Sequence, residues 1–268
     1  MSLELIFLLF LLGLLSGFSA GLLGVGGSGV LIPFLTIIYS AHHFPHAYVV
    51  HMAIATGLGT VFFTSVSSLY AHYRQGDVVW RIVWLFLPGL FVGAWLGPLI
   101  ASLMNTKVLA TTYSLFLLFS AYRIARKPKQ TKTDKPLPKT PAMIGVGTII
   151  GTYGGLIGST GTSITVPFLT THSLKMNQAV GVAAAMGVPV AFIGSLSNIY
   201  HGWSVPLLPA HSLGFIYAPA VICLAAGSIL AAPFGAKLSK RLSDHILKII
   251  FALMLVGLSA YMLLKALH

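Results

Sequence analysis

Apolar residues gather in eight long runs, at about 4–38, 47–70, 82–103, 107–122, 142–170, 178–200, 213–236 and 246–264. At 1.5 Å of rise per helical residue, each can reach across, or deep into, the ~30 Å hydrocarbon core of a bilayer. The polar stretches between runs are short, with one exception. Residues 125–141 form a basic, proline-rich linker with no periodicity, which separates residues 1–124 from residues 142–268. The pattern predicts an all-α polytopic membrane protein built from two transmembrane halves.

The first run of each half is interrupted by the same motif. Gly21-Leu22-Leu23-Gly24-Val25-Gly26-Gly27-Ser28-Gly29-Val30-Leu31-Ile32-Pro33-Phe34-Leu35 returns, 134 residues later, as Gly155-Leu156-Ile157-Gly158-Ser159-Thr160-Gly161-Thr162-Ser163-Ile164-Thr165-Val166-Pro167-Phe168-Leu169. Further correspondences follow in the same order. Ala55-Thr56-Gly57 parallels Ala185-Met186-Gly187, and Ser65-Val66-Ser67-Ser68-Leu69-Tyr70 parallels Ser195-Leu196-Ser197-Asn198-Ile199-Tyr200. Pro88 parallels Pro219, and Ser120-Ala121-Tyr122 parallels Ser259-Ala260-Tyr261. An ordered series of this kind indicates an internal duplication.

Composition and charge decide how the halves are oriented. Only 7% of the 268 residues are charged and 56% are hydrophobic, against roughly 25% charged in soluble domains. The net charge of +12 could suggest nucleic acid, but the charges lie in short segments between apolar runs, as the positive-inside bias places them. If every run were one plain span, 10 of the 16 Lys and Arg residues would share the linker's side. If each motif-bearing run enters and leaves on one face, 14 of 16 do, and only Lys107 and Lys265 lie opposite. The second arrangement makes the halves inverted repeats, each a broken or re-entrant helix plus three transmembrane helices. It puts the linker in the cytoplasm and both termini outside. Met1-Ser2-Leu3-Glu4 lacks the basic residues of a signal peptide, so the first run reads as a membrane helix. Cys223 is the single cysteine, which leaves no disulfide framework and no cysteine zinc site.

The motif itself carries the candidate chemistry. Gly24–Gly29 and Gly158–Ser163 hold too much Gly, Ser and Thr for a continuous helix. Unwound backbone inside a bilayer must face protein or a water-filled cavity. Pro33 and Pro167 suit a first helical turn, so second arms are expected to begin near Val30 and Ile164, with Ser28, Thr162 and Ser163 at N-cap positions. The N–H groups of Ser28, Gly29 and Val30, and of Thr162, Ser163 and Ile164, then point into breaks that also hold Gly26, Gly27, Thr160 and Gly161. Two helix N-termini, each worth about +0.5 charge, make a site for a small anion. The plainer alternative is that these glycines only let helices approach closely. Thr56 and Ser65, with Ser195 and Asn198, are candidate lining residues from the next run of each half. The four acids, Glu4, Asp77, Asp134 and Asp244, all lie outside the deep apolar segments. That disfavours a cation transporter, which normally places carboxylates in the membrane. His51 is the candidate for proton coupling, or else a histidine at an outer helix end.

Other motifs are set aside. Gly24-Val25-Gly26-Gly27-Ser28-Gly29 matches a dinucleotide fingerprint, but it follows an apolar helix and has no acid near position 50. His42-His43-Phe44-Pro45-His46 reads as a solvated outer loop rather than a metal site. No nucleophile stands with a base at recognisable spacing, so no enzyme activity, metal or cofactor is expected. Trp80, Trp84, Trp203 and Tyr200 read as interfacial anchors.

Gly21–Leu35, with its weaker copy at Gly155–Leu169, resembles the signature of the TauE/SafE-type sulfite exporter and anion permease family. Length, run count and basic linker are similar over essentially the whole chain. The resemblance implies secondary transport of sulfur-containing or organic anions, such as sulfite, sulfonates or sulfoacetate, across a prokaryotic inner membrane. The direction varies among relatives. Ser159-Thr160 stands where Val25-Gly26 stood, which points to more hydroxyl donors in the second break. An alternating-access transporter, coupled to protons or sodium, is the leading expectation. An anion channel and a non-transporting assembly factor are the alternatives. The oligomeric state is left open.

Overall fold

The computed structural model describes residues 3–23, 28–125, 137–172, 174–239 and 244–267. Gly24 to Gly27, and so the candidates Gly26 and Gly27, lie outside the described residues, as do 126–136 of the linker. Within the described residues the chain is nearly all helix. The elements are α1 (Leu3–Leu23), α2 (Ser28–Ala41), α3 (Val49–Arg74), α4 (Trp80–Leu103), α5 (Thr106–Ala125), α6 (Thr140–Ile157), α7 (Thr162–Thr171) and α8 (Met176–Gly202). A small hairpin, β1 (Ser212–Leu213) with β2 (Ile216–Tyr217), then leads into α9 (Ala218–Ser239) and α10 (Asp244–Leu267). Six of the helices are long and apolar enough to cross a membrane. The first and fifth apolar runs are each two helices, α1–α2 and α6–α7, as the glycine motif predicted.

The two arms of each broken run are unequal. α1 has 21 residues and α6 has 18, about 31 and 27 Å of helix. α2 has 14 residues and α7 has 10, too few to cross alone. The second arms also start earlier than expected, at Ser28 and Thr162 rather than near Val30 and Ile164. Pro33 and Pro167 therefore sit in the second turn, where the carbonyls four residues back, of Gly29 and Ser163, receive no helical N–H from them.

Helices from opposite halves are packed in close pairs. α4 and α6 run parallel, with Gly89, Gly93 and Gly97 lying in order against Ile144, Thr148 and Thr152. α1 and α9 also run parallel, Gly13 against Leu224 and Gly17 against Ser228. There the Ser16 and Ser228 hydroxyls are 3.1 Å apart and Ser228 donates to the Gly13 carbonyl. α5 and α10 are clamped by the Ser114 and Ser259 hydroxyls, 2.8 Å apart, each also within reach of the other's carbonyl. α3 and α8 cross in opposite senses, since Ser65 is beside Gly187 and Leu58 beside Gly194. Val61 and Ala191 share a small apolar cluster at that crossing.

These pairings order the ends of the bundle. The start of α8, at Gly181, lies on Asp77 between α3 and α4. α6 starts at this same linker end, because it runs alongside α4. The α6–α7 segment therefore leaves at the end where it entered. α1 starts at the far end, beside the start of α9, and α2 leads back to the start of α3 there.

Parallel helices can approach this closely only where the contact lacks side chains. A Cβ on Gly93 would sit 2.1 Å from the Thr148 carbonyl oxygen. Gly93→Val should destabilise the fold by on the order of 2 kcal/mol or more, through forced separation of α4 from α6. Thermal unfolding in detergent checks this, and an unchanged midpoint would contradict the close approach.

Candidate functional site

The break between α6 and α7 is a short turn whose shape two glycines supply. Gly158 ends α6 at φ +68° and Gly161 precedes α7 at φ +69°, a left-handed conformation that costs glycine little. The Gly158 and Ser159 N–H groups both return to the Gly154 carbonyl, the latter at 2.9 Å, which closes the end of α6. On the other side the Gly161 carbonyl accepts the N–H groups of Ile164 and Thr165 and the Thr165 hydroxyl, each at 3.0 Å. Ile164 is therefore not a free donor, contrary to expectation. Its N–H is the first to close a helical bond, because α7 begins two residues earlier. Gly161, not Ser163, takes the N-cap position, and no side chain caps the helix.

Thr160 and Thr162 are joined through their hydroxyls at 2.5 Å. Thr160 lies against Gly187 of α8, where an added Cβ would be 2.9 Å from its methyl group and 3.2 Å from Ser65 Oγ. Ser65 comes from α3, in the other half. The structure thus brings Thr160 and Ser65 together at one bare glycine, with Thr162 bonded to Thr160 at the start of α7. Ser195, which corresponds to Ser65 in the repeat, has a buried hydroxyl without a partner.

At the other break Ser28 is 4% exposed and Val30 is fully buried. Gly29 faces Leu255 of α10 and Leu117 of α5. Three other candidates are engaged elsewhere. Thr56 Oγ1 accepts the Tyr217 N–H at 3.1 Å and so ties α3 to β2. Asn198 Nδ2 donates to the Gly194 carbonyl within its own helix at 2.8 Å. His51 sits at the far end of α3, with Nε2 3.0 Å from both the Ala101 and Met104 carbonyls and Nδ1 unpartnered. Two carbonyl acceptors require Nε2 to carry the hydrogen.

Two residues at the breaks escaped sequence reasoning, both on α5. The buried Tyr113 hydroxyl donates to the Ser28 carbonyl at 2.9 Å. Arg123 donates from Nη1 to the Ser163 carbonyl at 2.7 Å, with its guanidinium over Phe119. The Ser163 and Tyr153 hydroxyls near it are buried and outside hydrogen-bond geometry with any partner. Arg123 follows directly on the apolar run 107–122, and in the charge count it falls on the linker's side. Tyr113 stood inside an apolar run, where a phenol must find an acceptor. No group of side chains suited to hold a metal occurs among the described residues.

Broken helices under the cover of membrane-length helices define a multi-pass membrane protein whose interior presents hydroxyls and helix ends. The sequence matches the family described as Sulfite exporter TauE/SafE over residues 9–262, and the chain belongs to that family. It is 31% identical over 261 residues to a "Probable membrane transporter protein" of Haemophilus influenzae, covering 97% of this chain and 98% of that one. A protein of the same description from Methanocaldococcus jannaschii is 25% identical over 258 residues, covering 96% and 95%. One from Bacillus subtilis is 26% identical over 252 residues, covering 91% and 92%. The family and these relatives mark the chain as a membrane transporter.

The Tyr113–Ser28 contact carries its own test. Tyr113→Phe leaves the Ser28 carbonyl without its partner in a dry interior and should cost about 1–3 kcal/mol. Thermal unfolding reads this, and a change within a few tenths of a kcal/mol would show that the bond does not hold the start of α2.

Proposed function

We propose that the protein is a secondary transporter that moves a small oxyanion, sulfur-containing or organic, across the prokaryotic inner membrane by alternating access. The anion is held between the two breaks by N–H groups of the first turns of α2 and α7 and by the hydroxyls of Thr160, Thr162 and Ser65. The observation that carries this reading is the meeting of Thr160, from one half, with Ser65, from the other, at Gly187, with Thr162 bonded to Thr160. A lining drawn from both halves is what a site that changes access needs, because relative motion of the helices that carry it opens one side and closes the other. The scarcity of acids supports an anion over a cation. Arg123 adds positive charge at the start of α7.

The halves 1–124 and 142–268 act in this reading as inverted repeats, with the linker 125–141 cytoplasmic and both termini outside. The opposite senses of α3 and α8 support it, as does the return of α6–α7 to its own end. Ser28, Gly29, Ser163 and Ser195 are further lining candidates, together with Gly26 and Gly27 of the motif. His51 is held by carbonyls at the end of α4, which supports a helix-end role over proton coupling.

Thr160→Leu and Ser28→Leu should lower sulfite or sulfonate flux into proteoliposomes at least about tenfold, the effect of one lost interaction of about 1.4 kcal/mol. Both should leave expression and monodispersity intact. Wild-type flux in both variants would refute the site, and flux that never saturates would indicate a channel. For topology, single cysteines placed at Lys175 and Asn105 in a Cys223→Ser background should react with an impermeant reagent only from inside and only from outside, respectively. Labelling of Lys175→Cys from outside would overturn the inversion.

A further inference from the structure

Lys107 and Lys265, the two cations left outside by the inverted topology, border the same space. Both line one cavity of about 700 Å³ at the far end, with His46, His51, Asn105 and Thr106. Lys107 lies in the first turn of α5 and Lys265 in the last turn of α10. The Ser114–Ser259 clamp sets these helices in the register that brings both lysines to the cavity. Among the described residues no carboxylate lines it. The ion pair found among the described residues, His72 with Asp77, is at the opposite end of the bundle.

The backbone adds to this charge. Asn105 Oδ1 accepts the Val108 N–H at 2.8 Å and caps α5, so the positive end of that helix opens onto the cavity. The negative end of α4 is next to it, but His51 Nε2 donates to the Ala101 and Met104 carbonyls and covers it. His51 itself is 4% exposed, with Nδ1 lacking a partner. Two ammonium groups on one cavity favour an anion there, and in the inverted topology they stand on the side where the topogenic bias least favours lysine.

We propose that this cavity is a second anion site, binding an oxyanion between Lys107 and Lys265 at the end of α5. The shared chemistry is a tetrahedral oxyanion, either a free solute or the phosphate of an anionic lipid headgroup. As a receiving or releasing mouth for cargo it rests on the transporter reading, whereas the binding itself does not.

The test uses the purified full-length chain and radiolabelled sulfate in equilibrium dialysis at low salt. Lys107→Gln and Lys265→Gln should each weaken binding about tenfold, the double variant should abolish the component, and Lys107→Arg with Lys265→Arg should retain it. Each single change lies at a helix end and keeps the test readable if the double variant fails to fold. In a second arm, native mass spectrometry from nanodiscs containing phosphatidylglycerol compares lipid retained by wild type and the Gln variants. Lysine-dependent sulfate binding identifies a free anion, and lysine-dependent retention of phosphatidylglycerol identifies a headgroup. The absence of both overturns the proposal. Lysine-dependent binding that persists in Thr160→Leu, together with no flux of any anion by wild type, would sink the transporter reading alone. Intact flux with no lysine-dependent binding in either arm would sink this inference alone.

Discussion

A peptide group inside hydrocarbon must find its hydrogen-bond partner within the protein, because no water is there to supply one. A continuous helix meets that demand by itself, and a broken helix does not. Between α6 and α7 the chain meets it with two left-handed glycines and the reuse of two carbonyls, Gly154 and Gly161. Tyr113 and Arg123 reach from α5 to the carbonyls of Ser28 and Ser163. The rest of the bundle can be understood as cover for these interruptions.

That cover comes across the halves. α6 is flanked by α4 and α1 by α9, each parallel and each nearly in backbone contact through glycine. Lipid tails offer no hydrophobic drive for helices to associate, so close van der Waals contact and interhelical polar bonds must supply it. The Ser16–Ser228 and Ser114–Ser259 contacts are of this kind. Parallel neighbours also align their dipoles unfavourably, and near-contact of the backbones offsets this with dispersion and Cα–H···O interactions. Interlocking has a mechanical consequence. A shift of α4 carries α6 with it, so a movement in one half reaches the break of the other.

Much of this architecture was legible because the bilayer simplifies the code. Length and apolarity are nearly the whole of it, and the eight runs correspond to the observed helices within a few residues at most ends. The broken helices were legible because Gly, Ser and Thr cannot be spread through an apolar run without structural cost. What stayed hidden depends on partners distant in sequence. Thr56 and Asn198 read as lining residues, yet one is consumed by the Tyr217 N–H and the other by its own helix. Nothing local separates a hydroxyl awaiting a ligand from one awaiting a backbone amide. Arg123 was absorbed into a charge count that explained it sufficiently as topology. The helix starts were displaced because proline marks where a helix can begin rather than where it must.

The two breaks are not chemically equal, and the inequality bears on how such a protein would work. Ser159 and Thr160 stand where the first motif has Val25 and Gly26. The guanidinium of Arg123 reaches the start of α7, whereas the start of α2 receives the neutral phenol of Tyr113. In the proposed site an anion would therefore be held more strongly by the second break. In the proposed exchange of access, the more strongly held contacts would persist and the weaker ones would be remade. Thr160 and Thr162 would then stay with the cargo through the cycle. Ser65, contributed across the α3–α8 crossing, would in that reading be the donor whose distance changes, because α3 and α8 cross in opposite senses while α4–α6 and α1–α9 are interlocked in parallel.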